Sequence, residues 1–252
     1  MSRPMTGHAN PTPALSEAEP AASGRPVLRY GGTAAIAFAA LAATVLISGA
    51  RAFPADLDVH RFLLAHRTAP VVTALRAVTA TGTGGWPYLL AAAGGLLAAP
   101  AVRLPVPRGR AVRTLLLCLA FTGWLALGQA VRFALMTAIA RPRPPGEDWI
   151  THASRWSFPS GHATTSAMAA GLLVTALAVR RPPAWRLWAI LPLCWAVLVG
   201  VSRLWLGVHW ASDVVGGWLL ATTWILLGVA IAAASGLLTT RTRGRGDEQG
   251  ES

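Results

Sequence analysis

Arginine, histidine and aspartate meet in one short stretch, residues 202–213, which reads Ser202-Arg203-Leu204-Trp205-Leu206-Gly207-Val208-His209-Trp210-Ala211-Ser212-Asp213. If the chain is helical from about His209, the imidazole and the Asp213 carboxylate are i and i+4 on one face. A carboxylate there accepts the proton on one ring nitrogen, fixes the tautomer and leaves the other nitrogen free to attack an electrophile. Alone, the pair reads equally well as a satisfied polar contact at a helix start. Two further stretches decide between these readings. Arg141-Pro142-Arg143-Pro144-Pro145 puts guanidiniums where prolines end a helix and hold its exit extended. Phe158-Pro159-Ser160-Gly161-His162 opens the next apolar run. Ser160 suits a helix N-cap, Gly161 lets backbone approach a ligand, and the free N–H groups of a helix start attract anions. Capping accounts for the serine and the glycine but not for His162. Two guanidiniums, a helix N-terminus, two histidines and one carboxylate make an oxyanion site with a nucleophile and a proton donor. Neither a metal cage nor a Gly-rich nucleotide loop is visible, so no metal or cofactor is called for.

The elements that must position these groups are apolar. Of 252 residues, 54% are hydrophobic and 13% charged, with a mean hydropathy of +0.49, which describes a polytopic membrane protein. Residues 1–30, rich in Pro, Ala, Ser and Gly, read as a disordered cytoplasmic tail. Spans are expected over about 32–50, 86–102, 112–139, 162–179, 185–201 and 213–238, which makes an all-α bundle of six transmembrane helices. The domain is placed at 31–238, with a cytoplasmic C-terminal tail at 239–252. Between the first two spans, Val59, Phe62 and Leu63 recur at helical spacing among charges. That segment, 56–66, reads as a helix on the membrane surface, either an anchor or the lining of an entry gate. A weakly amphipathic piece follows around Val71, Val72, Leu75 and Val78. Cys118 and Cys194 sit singly inside apolar runs and read as packing residues.

A net charge of +12 would suggest nucleic acid for a soluble protein. Here the arginines are dispersed over short connections, and topology explains them better; no nucleic-acid partner is expected. All 22 basic residues are arginine. Arg3, Arg25 and Arg29, then Arg103, Arg108, Arg110 and Arg113, then Arg180, Arg181 and Arg186, then Arg241, Arg243 and Arg245 fall on one side of a six-span arrangement. The positive-inside rule makes that side, with both termini, cytoplasmic. Arg51, Arg61, Arg67 and Arg76 run against the pattern. Arg141, Arg143, Arg155 and Arg203 also lie on the opposite side, where phosphate gives them a purpose. About forty residues separate His162 from Ser202, enough for two spans and a tight turn, so the chain returns to the face it left. Arginine without lysine, with abundant alanine, points to a GC-rich bacterial genome and an extracytoplasmic site.

Arg143-Pro144, Pro159-Ser160-Gly161-His162 and Ser202-Arg203-x5-His209-x3-Asp213 resemble the three signature motifs of the type 2 phosphatidic acid phosphatase (PAP2) superfamily, in its integral-membrane lipid phosphatase branch. The resemblance covers roughly 32–238 and is sharpest in the motifs. It implies a metal-independent phosphatase acting on a lipid phosphomonoester or diphosphate, phosphatidate-like or polyprenyl, held in the bilayer. It assigns His209 as nucleophile forming a phosphohistidine, Asp213 as its orienting carboxylate, and His162 as the acid that later activates water. Arg143, Arg203, Ser160 and the Gly161 N–H would hold the phosphoryl oxygens. The family's first motif usually opens with a lysine seven positions before its arginine, and Met136 stands there. Arg132, one turn earlier on the same face, is a replacement, as are Arg141 and Arg155, which are nearer in sequence to the motifs. A lipid-phosphate binder or transporter that retains the fold is the alternative: the absent lysine points to it, and the complete His162, His209 and Asp213 set points away.

Overall fold

The computed structural model describes residues 24–102, 109–153 and 155–237. Among them are eight α-helices and a single 3-10 turn at Gly146–Asp148: α1 Gly24–Ile47, α2 Pro54–Ala65, α3 Ala69–Ala80, α4 Trp86–Ala98, α5 Arg110–Ile139, α6 Gly161–Arg180, α7 Trp185–Trp205 and α8 Ala211–Ala234. The all-α expectation holds. The expected disordered tail lies outside the described residues up to 23, but α1 already begins at Gly24 and takes in residues 24–30. The C-terminal tail also lies outside the described residues.

Five helices, α1, α5, α6, α7 and α8, are long and apolar enough to cross a bilayer. The remaining expected span, 86–102, forms only the 13-residue α4, about 20 Å long at 1.5 Å per residue. Pro100 ends it, because proline offers no N–H for the next helical bond. α4 is compensated by burial. A Cβ on Gly95 would stand 2.6 Å from the Leu117 carbonyl of α5, so the two backbones touch, as small residues permit in membrane bundles.

α6 is the central helix. Half of its apolar window is buried, against 17% for α1 and α5. Its Ala163, Ala169, Ala170 and Ala176 are fully covered. Met168 and Leu172 of α6 meet Ala91 of α4, Leu125 of α5 and Leu220, Ala221 and Ile225 of α8 in the main apolar core. Outward, Leu115, Leu119, Leu187, Leu191 and Leu198 are exposed, as suits helices whose solvent is hydrocarbon.

The up-and-down order puts the end of α5, the start of α6, the end of α7 and the start of α8 at one end of the bundle. Val45, near the end of α1, packs there against Ile139 and Phe158. The arginine-bearing termini, with Arg110 and Arg113 on α5 and Arg180 and Arg186 on α6 and α7, lie at the other end. α2 and α3 lie over the site end. The helix expected from 56–66 is there as α2, but it does not rest passively on a surface. Its Asp56, His60 and Leu63 face is buried, while Leu57, Val59 and Phe62 point outward.

Candidate active site

The start of α8 sets the reactive geometry. The helix begins at Ala211, so His209 stands just before it and is not the first residue of a helical i, i+4 pair. Asp213 instead sits in the first turn, where its Oδ2 accepts the Trp210 N–H at 2.8 Å. This satisfies one of the free donors of the helix start. The same oxygen lies 3.3 Å from His209 Nδ1. On the other side of the ring, Arg143 Nη1 donates to His209 Nε2 at 2.9 Å. A guanidinium can only donate, so Nε2 is the acceptor and the ring proton sits on Nδ1, facing Asp213. The lone pair that could attack therefore points toward the cations. Burial first, then the charges of Arg143 and Arg203, holds the His209 pKa well below its ordinary value, with a Ser157 backbone hydrogen bond pulling the other way. The ring is neutral at neutral pH.

His209 and His162 both face a cavity of about 510 Å³ whose lining includes Arg132, Arg143, Arg155 and Arg203. None of its lining residues is acidic. The cations come from α5, from the connection between α5 and α6, and from the end of α7. Arg143 follows the left-handed Ala140 turn that closes α5, and it also donates to the backbone carbonyls of Val208, Arg155 and Trp156. Arg203, in the last turn of α7, is 2% exposed and donates to Thr79 Oγ1 of α3 at 3.0 Å, while its Nε has no partner among the described residues. Arg132 of α5 reaches past Met136, with Nη1 3.2 Å from the sulfur. A Cβ on Gly161 would stand 3.4 Å from its guanidinium. Arg132 thus occupies the space beside the α6 N-terminus that a longer cation at Met136 could also have reached. His162 Nε2 is 3.5 Å from Thr83 Oγ1.

Ser160 holds the N-cap position of α6, but its hydroxyl does not cap. Its N–H donates to the Asp213 carbonyl at 3.0 Å. Its Oγ is buried without a hydrogen-bond partner among the described residues. Glycines on α8 make this junction possible: a Cβ at Gly216 would come within 2.5 Å of the Phe158 ring, and one at Gly217 within 3.0 Å of the Ser160 carbonyl.

Arg141 does not join the cavity. It is fully buried and bridges two carboxylates, with Nη1 2.6 Å from Asp213 Oδ1 and Nη2 2.7 Å from Asp56 Oδ2. It also donates to Ser212 Oγ and to the Arg51 carbonyl. The expectation that Arg141 binds phosphate is corrected: its side chain turns away behind the α5 exit, where two acids compete for it. Asp56, which sequence reading left among surface charges, is 2% exposed and accepts both the backbone N–H and the hydroxyl of Ser212. One signal could have found it. Asp56, His60 and Leu63 recur at i, i+4 and i+7, a stripe as regular as the apolar one.

Two of the arginines that ran against the charge pattern also have partners here. Arg67 donates to the Trp205 carbonyl, and Arg76 to the Ile150 carbonyl. His60 pairs with Asp148 at 2.9 Å. Gly207 turns with φ of +77°, and its α-carbon faces the Arg67 guanidinium and the Asp148 carbonyl so closely that no Cβ would fit. Among the described residues no cluster of three or more His, Cys, Asp or Glu could hold a metal ion.

A family model described as the PAP2 superfamily matches residues 111–237, half of the chain. Over 161 residues the chain is 34% identical to a decaprenylphosphoryl-5-phosphoribose phosphatase of Mycolicibacterium smegmatis, covering 58% of this chain and 71% of that protein. Over 77 residues it is 46% identical to an undecaprenyl-diphosphatase of Sulfolobus acidocaldarius, a match spanning 30% of this chain and only 34% of the relative's length. The fold is similar, with a TM-score of 0.64 and 22% identity, to the crystal structure of a transmembrane PAP2-type phosphatidylglycerolphosphate phosphatase from Bacillus subtilis, over 85% of this chain and 99% of that one.

Proposed function

The chain belongs to the PAP2 superfamily, and from that we propose that it is a multi-pass membrane phosphatase removing phosphate from a lipid phosphomonoester or diphosphate through a phosphohistidine. The observation that carries this reading is the state of His209. Its Nδ1 faces a carboxylate, its Nε2 faces a guanidinium, and it opens onto a cavity with four arginines and no acid. That is a neutral nucleophile beside a place for an oxyanion.

In this mechanism Arg143, Arg203, the buried Ser160 hydroxyl and the Gly161 N–H hold the phosphoryl oxygens, and Arg132 supplies the charge of the family's lysine. Nε2 forms a bond to phosphorus as the bond to the leaving oxygen breaks. His162 gives that oxygen its proton. Asp213 steadies the positive charge that develops on the ring. Water, losing a proton to His162, then attacks the phosphohistidine, releasing inorganic phosphate and restoring His209. The lipid chains remain among the outward apolar side chains of the helices.

Purified protein should release inorganic phosphate from short-chain phosphatidate or from a polyprenyl diphosphate assayed in parallel. Turnover should continue in EDTA, since arginines and helix N–H groups meet the phosphate charge, and orthovanadate should inhibit. Release from neither lipid would overturn the reading.

The arginine-bearing helix ends support an orientation with that end in the cytoplasm and the site on the opposite face. A cysteine at Glu147, in a background lacking Cys118 and Cys194, should then react with an impermeant thiol reagent on intact cells, and one at Pro183 should not. The reverse pattern would invert the topology.

A further inference from the structure

The reactive residues account for the open cavity but leave a second set of buried charges unused. Between residues 20 and 246 the sequence holds five acids: Asp56, Asp58, Glu147, Asp148 and Asp213. Two of them, Asp56 and Asp213, are brought to one buried arginine, although 157 positions separate them. An arrangement of two carboxylates around one guanidinium is costly to bury, and replacing such a cluster by apolar side chains is often neutral or stabilising. Stability alone therefore does not account for it.

The two oxygens of Asp213 face different partners. Asp213 Oδ1 is taken by Arg141 at 2.6 Å. That leaves Oδ2 for the Trp210 N–H and His209 Nδ1. Arg141 is itself held by the second carboxylate at 2.7 Å, and Asp56 is fixed in turn by the Ser212 N–H at 2.9 Å and the Phe53 N–H at 3.1 Å. Ser212 adjoins Asp213, so Asp56 grips the first turn of α8 three ways, through the Ser212 backbone N–H, through the Ser212 hydroxyl and through the guanidinium.

We infer that Asp56, on the N-terminal helix α2, is a positioning residue for the reaction: it shares Arg141 with Asp213 and so sets both the direction and the free negative charge of the carboxylate behind His209. If Asp56 were absent, Arg141 would turn its whole charge on Asp213. The carboxylate would then pull less on the His209 ring proton, and Nε2 would be a poorer nucleophile. The rest of the reactive set would stay in place. The inference rests on the phosphatase reading for its kinetic consequence, but not for its chemical one.

The test compares three proteins in detergent: wild type, Asp56→Asn and His60→Phe. The amide keeps the shape of the side chain and removes its charge. His60→Phe cuts another tie of α2, the pair with Asp148, and keeps an aromatic ring against Trp210, whose centroid is 5.4 Å away. It never touches Arg141 and controls for a loosened α2. Asp56→Asn should lower kcat about 10- to 100-fold, the range found when the hydrogen-bonded partner behind a metal-bound histidine is lost, with KM within about twofold. Carbethoxylation of His209 by diethyl pyrocarbonate, followed on its peptide by mass spectrometry, should slow at least about threefold. His60→Phe should lower Tm yet leave kcat and the labelling rate within about twofold. If Asp56→Asn does not survive extraction, Asp56→Glu, which keeps the charge but displaces it by one methylene, should show the same split. The inference is overturned by an unchanged kcat and labelling rate in the Asp56 variant, or by equal losses in both variants at equal loss of Tm. If wild type hydrolyses neither phosphatidate nor polyprenyl diphosphate, the phosphatase reading fails. The labelling rates alone then decide the inference.

Discussion

Two charged regions lie back to back across the α5 exit, and their arginines are only two positions apart. On one side Arg141 is sealed at 0% exposure between Asp56 and Asp213. On the other, Arg143 lines an open cavity with Arg132, Arg155 and Arg203 and no acid. Pro142 lies between them, and the two guanidiniums are drawn to different partners, Arg141 to Asp56 and Asp213 and Arg143 to His209 and the carbonyls of Val208, Arg155 and Trp156. The sealed region sets two carboxylates against its guanidinium; the open region lines its cavity with no acid among the described residues. An excess of cations facing a cavity is a request for an anion, whereas a buried cluster of one guanidinium and two carboxylates is a device for holding backbone and carboxylate still. The same residue type does both, and only the partners tell them apart.

Five substitutions break or sharpen this contrast. His209→Ala in the open region should lower turnover by about 10⁴-fold or more, the scale seen when a covalent nucleophile is removed, with Tm in detergent within a few degrees of wild type. Activity within tenfold of wild type would remove the nucleophile assignment. Arg141→Met in the sealed region should do the opposite kind of damage. It leaves two buried carboxylates without their cation, a loss of about 3–5 kcal/mol in stability, read as a large fall in Tm before any assay is run. A stable Arg141→Met protein with a selective KM defect would instead return Arg141 to the phosphate site.

Arg143→Ala should cost about 10²-fold in kcat/KM, in line with about 2–4 kcal/mol for a charge aimed at developing oxyanions. It should also shift a pH profile. Arg143 lowers the His209 pKa, so its removal raises that pKa, and the ring protonates at less acidic pH. The acid limb of the residual kcat/KM should therefore move to higher pH; an unmoved limb would separate the two groups. Smallest is Arg132→Ala, expected to lower kcat/KM about tenfold, about 1.4 kcal/mol. Met136→Lys should partly restore it, because both side chains reach the space beside Gly161; a double-mutant cycle measures the shared effect. Independent effects would place Arg132 outside the phosphate site.

The open region was legible because its groups are local. His162 sits one residue into α6 and His209 one residue before its cap, so each motif carries its own geometry, and counting spans brought the motifs to one end. The sealed region was not legible in the same way. Nothing near Asp56 in the chain names Arg141 or Asp213 as its partner, and a charged 12-residue helix with Val59 and Phe62 at its rim reads as a surface element until its Asp56 face is seen to be buried. The arginines at 67 and 76 were misfits in the charge pattern for the same reason: their acceptors, the carbonyls of Trp205 and Ile150, lie more than seventy residues away. The length of α4 was readable after the fact from Pro100, while the compensation, a backbone contact with α5 through Gly95, was not.

Sequence by itself determined the class of protein and which motif residues would meet at one end of the bundle, since hydropathy follows from composition and the motifs are short enough to hold their own spacing. Tertiary structure decided which of two neighbouring arginines faces the cavity, that His209 lies outside the helix that positions Asp213, and that α2 closes the back of the site. Those outcomes depend on which charges can find partners when water is withdrawn. Burial makes an unpaired charge far costlier than an exposed one, and a partner 157 positions away becomes visible only once the chain has folded around it.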